Sequence, residues 1–335
     1  YAPADMVVVV EAGVTLAALQ EAVGAHGQRL ALDPPWPERA TIGGLVATGA
    51  FGPLRARYGS VRDLIIGVTL VRADGEIAHG GGKVVKNVAG FDLPKLACGS
   101  LGTLGLIARA AFRLHPRPEA TASVLVAGLR AEAVVALLAA TRNAQLEPAR
   151  VVALTASPSS PPSPPSGDRF DLVLGFEGFG RGVEQQVART LELAGAGSPA
   201  QRLDDDAAMA LWRRHDAVRA ASPLRVRITG QPTRFPAIAP LLSGLGDLAW
   251  YPTLGVGFAG GAVPGIPAAI TAVTSARAAI VAGGGSLVIE VAPDELRAAV
   301  DPWGPPPPSF PIMRRLKQRF DPHARLNPGR FVGGL

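Results

Sequence analysis

Seven glycines and four hydroxyl side chains fall into two short segments, ATIGGLVATGAFG (40–52) and GSLGTLG (99–105). The first holds Gly43, Gly44, Gly49 and Gly52 with Thr41 and Thr48. The second holds Gly99, Gly102 and Gly105 with Ser100 and Thr103. Glycine lacks a Cβ, so a ligand can come close to its backbone N–H. Successive N–H groups form an anion nest, a helix N-terminus adds a favourable field, and a hydroxyl adds a donor. Two such segments can grip an extended diphosphate from both sides. Taken singly, each is equally an ordinary tight turn in a glycine-rich chain.

Other chemistries find less support. No G-x-G-x-x-G follows the first strand, which argues against a Rossmann dinucleotide site. GGGKVV (80–85) lacks the Ser or Thr that a P-loop carries after its lysine. Neither H-E-x-x-H nor G-x-S-x-G occurs. The five histidines, at 26, 79, 115, 215 and 323, are isolated in sequence and read as surface or packing residues. Arg213, Arg214 and His215 follow Trp212 as a polar cluster that reads as a solvated helix face. Cys98 is the single cysteine, so no disulfide, cysteine-rich zinc site or cysteine-ligated cluster can form within this chain. Its expected role is that of a small core residue.

The chain has 335 residues and 48% hydrophobic content, enough for two domains with cores of their own. Glycine (40) and proline (31) together make up about a fifth of it, against roughly 12% in ordinary proteins. Net charge is +6, which reflects either compositional bias towards arginine or an anionic ligand. The basic residues are scattered, aromatics are only 5%, and no nucleic-acid-binding motif is present, so nucleic acid is set aside. No apolar run reaches the ~18 residues of a membrane span. No signal peptide is visible. The chain starts at Tyr1 and enters a strand at once, so a preceding segment is expected.

These segments need elements to hold them. MVVVVEAG (6–13) reads as a strand. TLAALQEAVGAHG (15–27) follows as a helix, with Leu16, Leu19 and Val23 on one face. QRLALDP (28–34) reads as a short strand entering the proline-rich corner PPWP, and a helix is expected to start near Thr41. RDLIIGVTLVRADGEIAHGGG (62–82) reads as a hairpin turning at Ala-Asp-Gly, and LGLIARAAFRLHP (104–116) as a further strand. Beyond Pro116 an α+β unit is expected, with strands at 122–129, 151–156 and 170–178 and a buried strand at 285–292. Its helices are expected at 131–142, 181–194, 204–220 and 267–282. SPSSPPSPPSGD (157–168) reads as a low-complexity surface loop. DPWGPPPPSF (301–310) leads to a terminal helix, IMRRLKQRF.

The two glycine segments, in this order and with RYGSVRDLIIGVTLVRADGEI between them, resemble the FAD-binding domain of the vanillyl-alcohol oxidase superfamily, also called PCMH-type. GSVRD (59–63), GGKVVKNVAGFD (81–92), GSLGTLG (99–105) and LNPGR (326–330) resemble more closely the small flavin subunit of bacterial glycolate oxidases. The resemblance is dense over 1–117, thin over 118–300, and returns over 311–335. It implies an α+β fold with three parts: a PCMH-type FAD-binding domain over 1–117 whose N-terminal subdomain is truncated, an α+β cap over 118–304, and a segment over 305–335 that packs back on the FAD domain. The cap is expected to cover the flavin ring and to face partner subunits.

The resemblance also implies site residues. Pro35, together with Thr41, Ile42, Gly43, Gly44, Ala47, Thr48, Gly49 and Gly52, should line one flank of FAD, with the N–H groups of Gly43 and Gly44 close to its diphosphate or flavin. Gly99, Ser100, Gly102, Thr103, Leu104, Gly105 and the main chain at Ile107 should line the other flank. The family's earlier diphosphate loop would precede Tyr1. Related subunits that oxidise 2-hydroxy acids carry GH-x-GDGN, where this chain has GGGSLVIE (283–290) and no histidine, so no catalytic base is assigned. No histidine falls within either glycine segment, so FAD is expected to be non-covalent. No metal site is expected.

The implied activity is glycolate to glyoxylate, with electrons leaving through FAD to an iron–sulfur subunit beside a larger homologous flavin subunit. The location would be cytoplasmic, peripheral at the inner membrane through the complex. A stand-alone FAD-dependent hydroxy-acid or alcohol oxidoreductase, and a scaffold subunit that has lost its flavin, are the alternatives.

Overall fold

The computed structural model describes residues 1–82, 90–156, 169–195, 199–221, 223–263 and 265–335. The chain divides into two compact units: Tyr1–Arg117 with Pro305–Leu335, and Pro118–Gly304. Both mix helices with antiparallel sheet, an α+β architecture.

The first unit begins with β1 (Val7–Glu11), whose Val7, Val8 and Val10 are buried. Thr15 caps α1 (Leu16–Gly24), its hydroxyl accepting from the Ala18 N–H. Leu16, Leu19 and Val23 form the buried stripe of α1, as the spacing predicts. The expected strand over 28–34 shrinks to β2 (Gln28–Arg29), because the chain then enters the proline corner. The helix expected near Thr41 is α2 (Ile42–Thr48), followed by α3 (Arg55–Tyr58) and α4 (Val61–Leu64). The GSVRD motif is explained by α4. The Asp63 carboxylate accepts from the Ser60 N–H at 2.8 Å and the Ser60 hydroxyl at 2.7 Å, which fixes a helical turn. The hairpin strand therefore starts later than its sequence suggests, as β3 (Ile65–Val71) returning in β4 (Ile77–Gly81). Next come α5 (Leu93–Ala97), β5 (Leu106–Arg113) and β6 (His115–Pro116), the last paired with β2. The main sheet runs β1-β5-β3-β4. Its buried face and α1, α2 and α4 enclose one apolar core.

The second unit contains β7 (Ala120–Arg130), α6 (Ala131–Asn143), β8 (Arg150–Thr155), β9 (Arg169–Gly178), α7 (Gly180–Ala194) and β10 (Ala200–Leu203). The connector α8 (Asp205–Arg219) comes next. After it stand β11 (Leu224–Thr229), α9 (Phe235–Ile238), β12 (Asp247–Tyr251), β13 (Val256–Gly261), α10 (Ile266–Ala282), β14 (Ser286–Val291) and α11 (Asp294–Ala299). The eight-stranded sheet has the order β10-β7-β9-β8-β12-β13-β11-β14. Each half thus repeats one pattern, βαββαβ with its fourth strand beside its first and its third beside its second. The unit is a tandem pair of split-βαβ modules joined edge to edge through β8 and β12. Helices α6, α7, α9 and α10 cover one face and share a core with Phe170, Phe176 and Trp250. The connector α8 instead contacts β12 and β13 from the face that carries Tyr251 and Phe258.

Two expectations are corrected. The strand over 285–292 is not buried. It is the edge strand β14 and alternates inward Leu287 and Ile289 with outward neighbours. Strands β10 to β13 were not among the expected elements. The loop at 157–168 lies outside the described residues. Finally α12 (Phe310–Phe320) brings the C-terminal segment back to the first unit.

The approach at Gly52 is the closest in the first unit. A Cβ there would lie 1.9 Å from the Asp33 carbonyl oxygen. Gly52→Ala is expected to destabilise the protein by about 2–3 kcal/mol, the cost of overpacking against backbone. A lowered urea midpoint would verify it, and an unchanged one would refute it.

Candidate functional site

The two glycine segments meet. Thr41 caps α2, its hydroxyl accepting from the Gly44 N–H at 3.2 Å. The start of α2 is tied to the turn after β1 by Ile42 N–H to Val14 carbonyl (2.9 Å) and Gly43 N–H to Ala12 carbonyl (2.8 Å). At the other end, the Val46 carbonyl accepts from the Gly99 N–H at 2.9 Å and the Ala47 carbonyl from the Leu101 N–H at 2.8 Å. The loop after α5 is therefore welded to the C-terminal end of α2 by main-chain hydrogen bonds. A Cβ at Gly49 would lie 3.6 Å from the Gly99 backbone, so the segments touch.

The glycines do two kinds of work, and neither is the expected nest of bare amides. The N–H groups of Gly43, Gly44, Gly49, Gly99, Leu101 and Thr103 all bond within the protein. The hydroxyls turn inward too: Thr48 donates to the Gly44 carbonyl and Thr103 to the Ser100 carbonyl, each at 2.7 Å. Gly43 and Gly52 are close-packing positions, where a Cβ would strike Ala12 and Asp33. Pro35 stands two residues after Asp33, whose carboxylate accepts from the Leu54 N–H at 3.1 Å. The side chains of Ile42, Thr103 and Ile107 are buried, Gly105 packs under the Val71 carbonyl, and Leu104 borders an apolar recess with no room for water.

Gly44 and Thr48, one turn apart on α2, are exposed, and Gly49 is half-buried. Gly99 has φ +76° and open space where a Cβ would stand. Together they make a side-chain-poor strip of backbone across the α2–loop junction. This strip suits a flat, extended group lying along it, so the residues present fit FAD by shape rather than by amide donation.

The LNPGR motif holds the same loop from the other side. Asn327 donates to the Leu101 carbonyl at 2.7 Å. A Cβ at Gly102 (φ +72°) would fall 2.8 Å from the Asn327 amide nitrogen. Lys317, buried on α12, donates to the carbonyls of Thr103 (2.9 Å) and Leu326 (2.7 Å) and to the Asp321 carboxylate (2.7 Å). Asp321 also accepts from the N–H groups of Arg325 and Leu326. Burial alone would raise its pKa, but hydrogen bonds from Lys317 and those two amides outweigh it and hold the carboxyl below its ordinary 3.8. Sequence reasoning placed Asn327 in this segment but missed Lys317 and Asp321. Their i, i+4 spacing is a weak signal, because most such pairs lie on solvated helix faces.

Cys98 ends α5, half-buried, its thiol 3.3 Å from the Pro94 carbonyl. Burial pushes its pKa up to about 12, so it is a packing residue and a poor nucleophile. In the second unit the cluster after Trp212 is not a solvated helix face, although Arg213 is exposed. Arg214 pairs with buried Asp171 at 3.0 Å and also contacts the Thr155 carbonyl. His215 is buried, with Nε2 2.7 Å from the Tyr251 hydroxyl and Nδ1 2.9 Å from Asp216. Arg219 donates to the same hydroxyl at 3.1 Å. The chain Arg219→Tyr251→His215→Asp216 is satisfied with a neutral imidazole. Burial is the main cause that holds the His215 pKa below its ordinary 6.5.

Residues 1–81 match the family of the FAD binding domain. The chain is 40% identical over 125 residues, 37% of its length and 36% of the relative, to glycolate oxidase subunit GlcE of Escherichia coli K12. It is 32% identical over 237 residues, 66% of its length and 46% of the relative, to a probable mitochondrial D-lactate dehydrogenase of Danio rerio. The chain thus spans less than half the length of these relatives. An alkyldihydroxyacetonephosphate synthase shares the fold, with TM-score 0.69 at 18% identity, over 98% of this chain and 66% of that one. The fold is that of a PCMH-type FAD-binding protein. Among the described residues no helix is long and apolar enough to cross a membrane.

His215 gives a pH prediction. A folded pKa below 6.5 means that the unfolded state binds the extra proton first. Stability is then full above about pH 6.5 and declines as pH falls below it. Denaturant midpoints measured from pH 7.5 to 5 should show this slope, and His215→Gln should flatten it. An equal slope in both proteins would contradict the assignment.

Proposed function

We propose that this chain, built around the FAD-binding domain of its first unit, is a flavin subunit of a multi-subunit glycolate or related 2-hydroxy-acid oxidoreductase. The single observation that carries the reading is the junction of α2 with the 99–105 loop. It brings the two segments together in the unit whose residues 1–81 match the FAD binding domain family. Bound FAD supplies a two-electron acceptor for oxidation of an alcohol carbon to a carbonyl. Oxidation of glycolate to glyoxylate releases two electrons and two protons, and an iron–sulfur partner would carry the electrons onward.

This chain's contribution is binding and orientation. Gly44, Thr48, Gly49 and Gly99 offer backbone on which the cofactor lies without steric conflict. Pro35, Thr41, Ile42, Gly43, Ala47 and Gly52 set the position of that strip. Ser100, Gly102, Thr103, Leu104, Gly105 and Ile107 shape the loop facing it. Attachment is non-covalent, since Cys98 is held as a neutral thiol and no histidine stands in either segment. A larger homologous flavin subunit would oxidise the substrate, with this chain's FAD as a relay.

Gly99→Asn tests the site. Asparagine tolerates positive φ, so the fold is expected to persist while the side chain fills the open space. Flavin per purified protein, read from visible absorption, is expected to fall about tenfold, as for loss of one strong contact. Equal flavin content in variant and parent would remove the site. A colourless parent would favour the scaffold reading, and turnover of glycolate by the chain alone would favour a stand-alone enzyme.

A further inference from the structure

We infer that the C-terminal segment is a clasp that sets the flavin-facing loop, with Lys317 and Asn327 as positioning residues for cofactor binding. This inference rests on the proposed flavin site, but its mechanical part stands on geometry alone. The loop has an unfavourable backbone: Gly99, Leu101 and Gly102 have φ of +76°, +52° and +72°. Leu101 is the costly one, because a side chain rarely adopts positive φ. Such a turn persists only where its surroundings over-determine it.

Two anchors act from the α2 side, through the N–H groups of Gly99 and Leu101. Two act from the C-terminal side, on carbonyl oxygens. Asn327 takes the Leu101 carbonyl, and Lys317 takes the Thr103 carbonyl. Leu101 is thus gripped at both its N–H and its C=O.

The lysine is an expensive device for a purely structural tie. An ammonium buried at 7% exposure loses its hydration, and a neutral donor would serve one carbonyl. Here all three N–H donors find acceptors: Thr103, Leu326 and Asp321. One ammonium therefore connects the loop, α12 and the LNPGR turn. Asp321 neutralises it and fastens the amides of Arg325 and Leu326, which places Asn327 next in line. Asn327 itself has φ +45°, which asparagine tolerates. The segment adjusts backbone on which the cofactor lies, although neither positioning side chain is among the residues assigned to line it.

Two variants separate positioning from simple stability. Asn327→Gly keeps the positive φ and removes the side chain that reaches the Leu101 carbonyl. Lys317→Met with Asp321→Asn removes both buried charges together, which avoids stranding one charge, and its melting temperature is measured alongside because the Thr103 and Leu326 carbonyls lose their donor. The first readout is hydrogen exchange of the Gly99, Leu101 and Thr103 amides in the full chain without cofactor. Exchange is expected to accelerate about tenfold in both variants, as for loss of about one hydrogen bond. The second is the FAD dissociation constant by flavin fluorescence, expected to weaken by about tenfold. A merely structural role would leave affinity tied to melting temperature.

Unchanged exchange in both variants overturns the clasp. Faster exchange with unchanged FAD affinity overturns the positioning role. A parent that takes up no FAD removes the cofactor reading, and the exchange data then decide the clasp by themselves.

Discussion

The structure depends on two main-chain hydrogen bonds, Gly99 N–H to Val46 carbonyl and Leu101 N–H to Ala47 carbonyl. They join segments about 50 residues apart in sequence and complete the terminal turn of α2. Close approach is possible because glycines stand on both sides of the join, at 49 and 99. Everything that positions the candidate site follows from it. Helix α2 is seated on the turn after β1 through Gly43, the loop is seated on α2, and the C-terminal segment is seated on the loop.

Much of this was legible in the sequence. The period-3.6 stripe of Leu16, Leu19 and Val23 gave α1, and Thr41 gave the cap of α2. The paired glycine segments pointed to one site, and the structure brings them into contact. The manner was not legible. A glycine that admits an anion and a glycine that admits a neighbouring strand or loop look alike in sequence, and here Gly43 and Gly52 are of the second kind. Lys317 and Asp321 were missed because an i, i+4 pair at a chain's end gives no sign of burial. Strand β11, LRVRIT, alternates cleanly and was legible although overlooked, whereas glycines leave β13 without a pattern. GVGFAGG has too few side chains to show a pattern, yet Trp250 fills the space above Gly257.

The second unit shows the same limit on a larger scale. Its eight strands obey one rule twice, a split-βαβ repeat. The helical face is an ordinary apolar core. The other face carries Asp171 and Tyr251, which meet Arg214, His215 and Arg219 of the connector α8 in hydrogen bonds that offset the cost of their burial. A polar helix sequence thus conceals a buried side. Trp212, Arg214 and Arg219 turn to the sheet while Arg213 and Asp216 stay in water.

The central claim is that one extended cofactor lies across the α2–loop junction. Hydrogen exchange of the whole protein with and without saturating FAD tests it most directly. The account predicts simultaneous protection of the 41–52 and 99–105 segments, with little change in strands remote from the junction. Protection of only one segment, or of neither while FAD binds elsewhere, would contradict it.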